Sequence, residues 1–100
     1  MGNFETTVLL ALLRLGNHAY GMEIREEIER RTGRDVSYGA VYTALDRLEV
    51  KGFVAFTLGD STPERGGRAR KYFRVQPAGK TALRAHRQKF ATMWKGIERL

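Results

Sequence analysis

The chain has 100 residues, of which 42% are hydrophobic, so it can form one modest core and leaves no room for a second domain. It has no cysteine, which excludes a disulfide framework, a thiolate nucleophile and a sulfur-rich zinc site, and agrees with a reducing cytoplasm. The formal net charge is +7, with six basic against eight acidic residues in 1–50 and twelve against three in 51–100. We therefore expect a polyanion-binding surface in the second half of a soluble cytoplasmic protein.

Two helices are predicted before residue 35. Apolar residues recur with helical spacing from Phe4 onwards and predict a first helix over about Glu5 to Leu15. Its apolar stretch is too short for the roughly 20 residues of a membrane span, and it lacks the features of a signal peptide. A second helix is predicted from apolar residues four apart, and Gly33 ends it. Opposite charges at i and i+4 are expected on its solvent face, as the pairs Glu26/Arg30 and Glu27/Arg31.

A third helix follows after a short connection. Ser37 is a good N-cap, and Val41, Leu45 and Leu48 lie on one face until Gly52 closes the segment. At 100° per residue, the opposite face carries Gly39, Thr43, Asp46, Arg47 and Val50, with Tyr38 and Tyr42 on one flank.

Residues 53–58 and 72–75 are rich in β-forming residues and predict a hairpin. The connection between them contains Gly59 to Gly67 and is expected to form a long basic tip. The densest basic cluster of the chain lies at and beside this tip, and consists of Arg65, Arg68, Arg70, Lys71 and Arg74.

A last helix is predicted to begin at Pro77, because proline is tolerated in the first turn. Leu83, Phe90 and Ile97 are seven residues apart, and His86, Met93 and Leu100 supply the interleaved positions of a short seam. Such a seam predicts self-association into a homodimer, with Leu83, Phe90, Met93, Trp94, Ile97 and Leu100 at the interface.

Three helices followed by a two-stranded hairpin predict an α+β, mostly α fold of the winged helix-turn-helix type. We expect residues 1–76 to form this DNA-binding part and residues 77–100 to form a dimerisation helix of the same compact domain. The small residues of the third helix would allow close approach to the bases, and its N-terminus suits a phosphate. The candidate DNA-binding residues are Ser37, Tyr38, Gly39, Tyr42, Thr43, Arg47, Arg65, Arg68, Arg70 and Lys71.

Within this set, Thr43 and Arg47 are the candidates for base contacts, and the tyrosine hydroxyls for phosphate contacts. Two of these assignments have plain structural alternatives. Tyr42 could instead close the core beside the hairpin, and Arg47 could pair with a neighbouring carboxylate as an ordinary solvated charge.

Three stretches of sequence resemble the PadR-like transcriptional regulators. They are the run from Ser37 to Val54, the run from Gly66 to Val75 followed by Ala78-Gly79, and the opening Tyr20-Gly21-Met22-Glu23-Ile24. The resemblance implies a bacterial dimeric repressor that binds a palindromic operator. It also implies that the last helix forms the dimer interface. The chain departs from the family pattern at Thr43, where members often carry proline.

In similar short members, aromatic residues of the dimer helices line a pore for flat hydrophobic compounds, and Phe90 and Trp94 stand in the corresponding region. Packing across the dimer seam is the favoured role of these two residues, and effector binding is the alternative.

Other classes of function have little support in the sequence. Gly79-Lys80-Thr81 imitates the end of a P-loop, but Arg74 stands where that motif needs its first glycine. His18 and His86 are too few for a zinc site, and we expect no metal and no cofactor. An enzyme is therefore not predicted, and the remaining alternatives are a winged-helix module that binds protein or RNA.

Overall fold

The computed structural model describes residues 1–59 and 69–100. Within these ranges the chain forms four helices and a two-stranded antiparallel sheet, in the order α1 (Asn3–Arg14), α2 (Gly21–Thr32), α3 (Tyr38–Val50), β1 (Val54–Leu58), β2 (Lys71–Val75) and α4 (Pro77–Trp94). This is the mostly helical winged helix-turn-helix arrangement that the sequence predicts. The predicted tip of the hairpin, with Arg65 and Arg68, lies outside the described residues.

Side chains bond to the backbone in the first turn of α1 and in the connection that follows the helix. The Thr6 hydroxyl donates to the Gly2 carbonyl at 2.9 Å, and the helix begins two residues before the predicted start. After α1 the chain turns through Asn17, whose amide group pairs with the backbone of Val75 at 2.6 Å and 3.3 Å. Asn17 therefore joins the end of α1 to the last residue of β2.

The core lies where the three N-terminal helices meet the sheet. The inward side chains of Leu9 and Leu12 on α1, Ile24 on α2 and Val41 on α3 are fully buried, and Phe73 of β2 is only 1% exposed. The core face predicted for the third helix is confirmed, because Leu45 and Leu48 are also fully buried.

One surface prediction for α2 is wrong. Glu27 is only 4% exposed, although it was expected on the solvent face with Glu26. Its carboxylate accepts from Arg31 at 2.9 Å and also bonds Arg30, so the predicted pair Glu26/Arg30 is replaced by Glu27/Arg30. The hydrogen bond from Arg31 holds the pKa of Glu27 below its usual value, against the effect of burial.

The sheet pairs Val54 with Val75, Phe56 with Phe73 and Leu58 with Lys71. Ala19, in the connection between α1 and α2, adds one isolated bridge to Phe73, with N···O distances of 2.8 Å and 3.3 Å. The sequence pattern gave no sign of this bridge, because a single residue has no periodicity. This bridge holds the start of α2 against the middle of β2.

The first turn of α4 packs closely on the connection between α3 and β1 and on the end of β2. A Cβ atom on Gly79 would lie 2.5 Å from the Phe53 carbonyl oxygen, so only glycine permits this contact. Farther along the helix the contacts with the rest of the chain end, and every residue from Arg87 to Leu100 is exposed. The principal extents are 55 × 28 × 21 Å. The radius of gyration is 15.1 Å, which exceeds the radius of gyration of roughly 13 Å that a compact chain of this length has.

The predicted helix to Leu100 is too long. α4 ends at Trp94, and Gly96 then takes a φ of 91°, so Ile97 and Leu100 lie beyond the helix rather than on its seam. Within the described ranges, no helix combines the length and the apolar character that crossing a bilayer requires.

Candidate nucleic-acid interface

The exposed edge of α3 is the part of the helix that points away from the core. It consists of Gly39, Thr43, Asp46, Arg47 and Val50, all of which are exposed as predicted. Ser37 is the N-cap, and its hydroxyl oxygen accepts from the Ala40 N–H at 3.0 Å. The helix therefore begins at the solvent surface, where the field of its N-terminus favours a negative charge.

Arg47 makes no ion pair with any carboxylate in residues 1–59 and 69–100. The solvated pairing considered from the sequence is therefore not found among the described residues. Arg47 lines a hollow of about 480 Å³ together with Thr43 of α3 and Asn3 and Phe4 of the first turn of α1. The contribution of α1 to this surface was missed, because its first residues carry no charge pattern that points to α3.

Tyr38 and Tyr42 lie one helical turn apart on the flank of α3. Their hydroxyl oxygens are 3.2 Å apart and their ring centroids 4.8 Å apart. Tyr42 also meets the core residue Phe73 edge to face, with ring centroids 6.5 Å apart, so the proposed closing of the core is observed. Its hydroxyl nevertheless stays on the surface side, where the Tyr38 hydroxyl is its partner. Tyr42 can thus serve packing with its ring and hydrogen bonding with its oxygen.

Burial raises the pKa of the Tyr42 phenol to about 12, with the Tyr38 hydrogen bond as the second cause. The hydroxyl is therefore neutral and remains a potential donor at physiological pH. Gly21 makes room for the Tyr42 ring, because a Cβ atom at position 21 would lie 2.6 Å from that ring.

The base of the wing, residues Ala69, Arg70 and Lys71, lies beside these tyrosines. The Arg70 guanidinium stands 3.9 Å from the centre of the Tyr20 ring, and the Lys71 ammonium 4.3 Å from the centre of the Phe56 ring. Both cations thus have an aromatic support in the same chain, at distances typical of cation–π contacts. Tyr20 was not among the predicted site residues, since the sequence pattern does not connect residues 50 positions apart.

The predicted dimer residues fall into two groups. Leu83 is half-buried and packs against the chain's own core, while Phe90, Met93 and Trp94 are 44%, 69% and 45% exposed at the end of α4. A groove of about 340 Å³ between α1 and α4 contains Leu10, Leu13 and Leu83, with basic side chains of α4 at its rim. Apolar surface in the groove and on the last turns of α4 has no covering partner among the described residues.

In the described part of the chain, the histidines and acidic residues do not form a group that could hold a metal ion. His18 stacks on Tyr72 with ring centroids 4.7 Å apart, and His86 contacts Phe90 at 4.8 Å. The carboxylate of Glu27 is engaged by Arg30 and Arg31.

The model of the PadR-like family of transcriptional regulators matches residues 9–85. The chain belongs to this family. Its members are transcriptional regulators rather than enzymes, which agrees with the class predicted from the sequence. No curated protein sequence gives a significant match.

Solved structures share the fold over nearly the whole chain. A PadR-like transcriptional regulator from Bacillus cereus strain ATCC 14579 is 22% identical, with 95% of this chain and 87% of that chain covered and a TM-score of 0.74. A PadR family transcriptional regulator from Eggerthella lenta DSM 2243 is 26% identical, with 94% and 80% covered and a TM-score of 0.73. The winged-helix DNA-binding protein F93 from STIV is 19% identical, with 96% of each chain covered and a TM-score of 0.75.

Proposed function

We propose that this chain is a bacterial repressor that binds a palindromic operator in duplex DNA as a homodimer. The observation that carries the proposal is the solvent-exposed edge of α3, which has Ser37 at its start and the cations of the wing base beside its tyrosine flank. A helix of this kind fits the major groove, which is about 12 Å wide, while the wing reaches neighbouring phosphates.

The side chains divide into two roles. Thr43 and Arg47 contact base edges, and Gly39 lets the helix backbone approach the groove. Ser37, Tyr38, Tyr42, Arg70 and Lys71 bind phosphates, which fixes the position of α3 without reading sequence. Arg65 and Arg68 are assigned to the same phosphate-binding set from the sequence, since they lie outside the described residues.

Dimerisation through α4 is supported by the apolar end of the helix. Phe90, Met93 and Trp94 are exposed in the single chain, and large exposed apolar patches are typical of interaction sites. Ile97 and Leu100 follow immediately after the helix and belong to the same proposed interface. Residues 77–100 are thus the dimerisation segment and residues 1–76 the DNA-binding part. Covering of Phe90 and Trp94 by a second copy is the proposed use of these residues, and a small hydrophobic effector is the alternative.

In the dimer, two copies of α3 enter successive major grooves roughly 34 Å apart on one side of the duplex. Binding of both half-sites together supplies the affinity that one small module lacks, and the occupied operator represses transcription. The protein acts in the cytoplasm, where its DNA is, and needs no cofactor.

Selection of bound duplexes from a random DNA pool tests the proposal. We expect an enriched palindrome whose half-sites are separated by about one helical turn, or 10–10.5 base pairs. Enrichment of a single asymmetric site would contradict the dimer, and no enrichment at all would favour the alternatives, a winged-helix module that binds protein or RNA. Gel filtration of a chain that lacks the segment after Leu83 checks whether the last turns of α4 are needed for the dimer.

A further inference from the structure

A hollow of about 520 Å³ lies where the starts of α2 and α3 meet the base of the wing. Its lining includes Tyr20, Tyr38, Tyr42, Arg70 and Lys71, and no carboxylate among the described residues. Two cationic side chains and three tyrosines thus line one open space. This combination suits a small anion with several acceptor oxygens.

Arg70 is held at this hollow by an aromatic stack. Its guanidinium lies 3.9 Å from the centre of the Tyr20 ring, and Tyr20 meets Tyr72 edge to face at 5.7 Å. Tyr72 in turn stacks on His18, with the rings 4.7 Å apart and within 5° of parallel. The Ala19–Phe73 bridge joins the two backbone segments that carry these rings.

A guanidinium whose face lies on a ring still presents its N–H groups at the edge. The planar fork is therefore oriented before a ligand arrives, and less side-chain entropy is lost when it binds. Removal of the Tyr20 ring leaves the charge of Arg70 in place but removes the surface that orients it. Tyr20 is thus placed to act through Arg70.

Tyr38 and Tyr42 supply a donor on the other side of the hollow. Their two hydroxyls share one hydrogen bond of 3.2 Å, so one O–H group of the pair is left to donate elsewhere. Burial, which raises the pKa of Tyr42 to about 12, keeps that hydroxyl protonated. The contact of the Tyr42 ring with Phe73 keeps it in place.

We propose that this hollow binds one phosphate of the DNA backbone in each half-site, and that Tyr20 is the positioning residue that aims the Arg70 guanidinium at it. The inference rests on the proposed DNA-binding function and adds to it one defined phosphate and a residue that the sequence did not suggest. The phosphate accepts from the Arg70 fork and from the tyrosine pair, while Lys71 adds a second positive charge.

Fluorescence anisotropy with a series of duplexes tests the proposal. Each duplex contains the selected site and one uncharged methylphosphonate at a single backbone position. For the wild-type chain we expect one position per half-site at which this change weakens binding about tenfold, the loss typical of one charge-assisted hydrogen bond. At that position Arg70→Ala and Tyr20→Leu should lose almost nothing further, because the contact is already absent.

The conservative variant separates positioning from folding. Tyr20→Phe keeps the ring face and should retain the wild-type pattern of sensitive positions, whereas Tyr20→Leu keeps an apolar side chain without that face. The salt dependence gives an independent measure of the phosphate contact. Arg70→Ala should reduce the magnitude of the slope of log K against log salt by about 0.9 for each lost phosphate contact.

Arg74→Ala is the matched control, because it removes the same charge four residues along the chain from Arg70, on β2 and outside the lining of the hollow. It should leave the sensitive position unchanged. Thermal melting verifies that each variant is folded, and Arg70→Lys, which keeps the charge but loses the fork, serves if Tyr20→Leu does not fold. Arg70→Lys should then lose the sensitive position.

Two outcomes would overturn the proposal in different ways. If the wild-type chain binds the duplex but Tyr20→Leu and Arg70→Ala keep the wild-type sensitivity, the phosphate site is wrong while the proposed function stands. If the wild-type chain binds no duplex, both fail together.

Discussion

The wing base and the end of α4 carry the two groups of candidate side chains in the second half of the chain, and their surroundings differ. At the wing base, Arg70 rests on Tyr20 and Lys71 on Phe56, so each cation is supported by the chain itself. At the end of α4, Met93 and Trp94 are 69% and 45% exposed and have no comparable support from residues 1–59 and 69–100. The wing-base cations are thus positioned by contacts within one copy of the chain. The apolar side chains at the end of α4 need a second molecule to bury them.

Truncation of the apolar surface should have the largest effect. We expect Phe90→Ala combined with Trp94→Ala to convert the dimer to monomer in size-exclusion chromatography with light scattering. Aromatic residues at the centre of an interface contribute about 2 kcal/mol or more each, and a symmetric dimer loses every contact twice. Gln88→Ala, on the face of α4 opposite Phe90, is the control and should remain dimeric. An unchanged dimer in the double variant would place the interface elsewhere.

A substitution in the first turn of α4 should have a smaller effect, which is on the stability of the fold. Gly79→Ala places a Cβ atom 2.5 Å from the Phe53 carbonyl, which is backbone and cannot move aside cheaply. We expect the free energy of unfolding in urea to fall by about 2 kcal/mol, within the range of overpacking substitutions. Gly2→Ala, where the added Cβ meets nothing within 4 Å, should be close to neutral. Equal effects of the two would show that α4 is not packed as described.

Substitutions in the exposed edge of α3 should change the base preference of DNA binding rather than its overall affinity. Arg47→Ala should reduce discrimination at one base pair of each half-site roughly tenfold, or about 1.4 kcal/mol, and Thr43→Ala should change preference at a neighbouring position. Lys71→Ala, which loses a phosphate contact, should weaken binding to all duplexes alike. Binding to a panel of single-base variants of the selected site separates the two patterns. If Thr43→Ala and Arg47→Ala merely scale all affinities, the proposed orientation of α3 is wrong.

The smallest effect is the titration of one hydroxyl beside the wing base. Burial raises the pKa of Tyr42 from 10.0 to about 12, so the folded state favours the neutral phenol. The associated stability is present below the unfolded pKa of about 10 and is lost as the pH rises through the folded value. The tyrosinate absorbance of the wild-type chain minus that of Tyr42→Phe should therefore show a midpoint near 12. A midpoint near 10 would contradict the partial burial of Tyr42.

The fold was largely predictable because its elements repeat regularly. Val41, Leu45 and Leu48 fix the inward face of α3, and the opposite edge follows from the same periodicity. The runs of β-forming residues and the proline at the start of α4 were equally informative.

Contacts between distant segments were not predictable. No pattern links Asn17 to Val75 or Tyr20 to Arg70, because each pair depends on a single side chain at a turn or strand end. The buried Glu27 was also missed, since a carboxylate in a charged stretch of helix is usually solvated, and here two arginines compensate its burial. The end of α4 was placed too late because a heptad pattern without a partner does not reveal where a helix stops.

The most direct measurement of the central claim is the salt dependence of binding to the selected DNA duplex, to a scrambled DNA duplex and to an RNA duplex of the same length. If the exposed edge of α3 and the wing base face DNA, the selected duplex should bind tightest at every salt concentration. All affinities should fall steeply between 50 and 200 mM salt, on the order of 10³-fold or more for six phosphate contacts. Equal binding to the three duplexes would contradict recognition by α3, and binding that does not depend on salt would contradict the phosphate contacts.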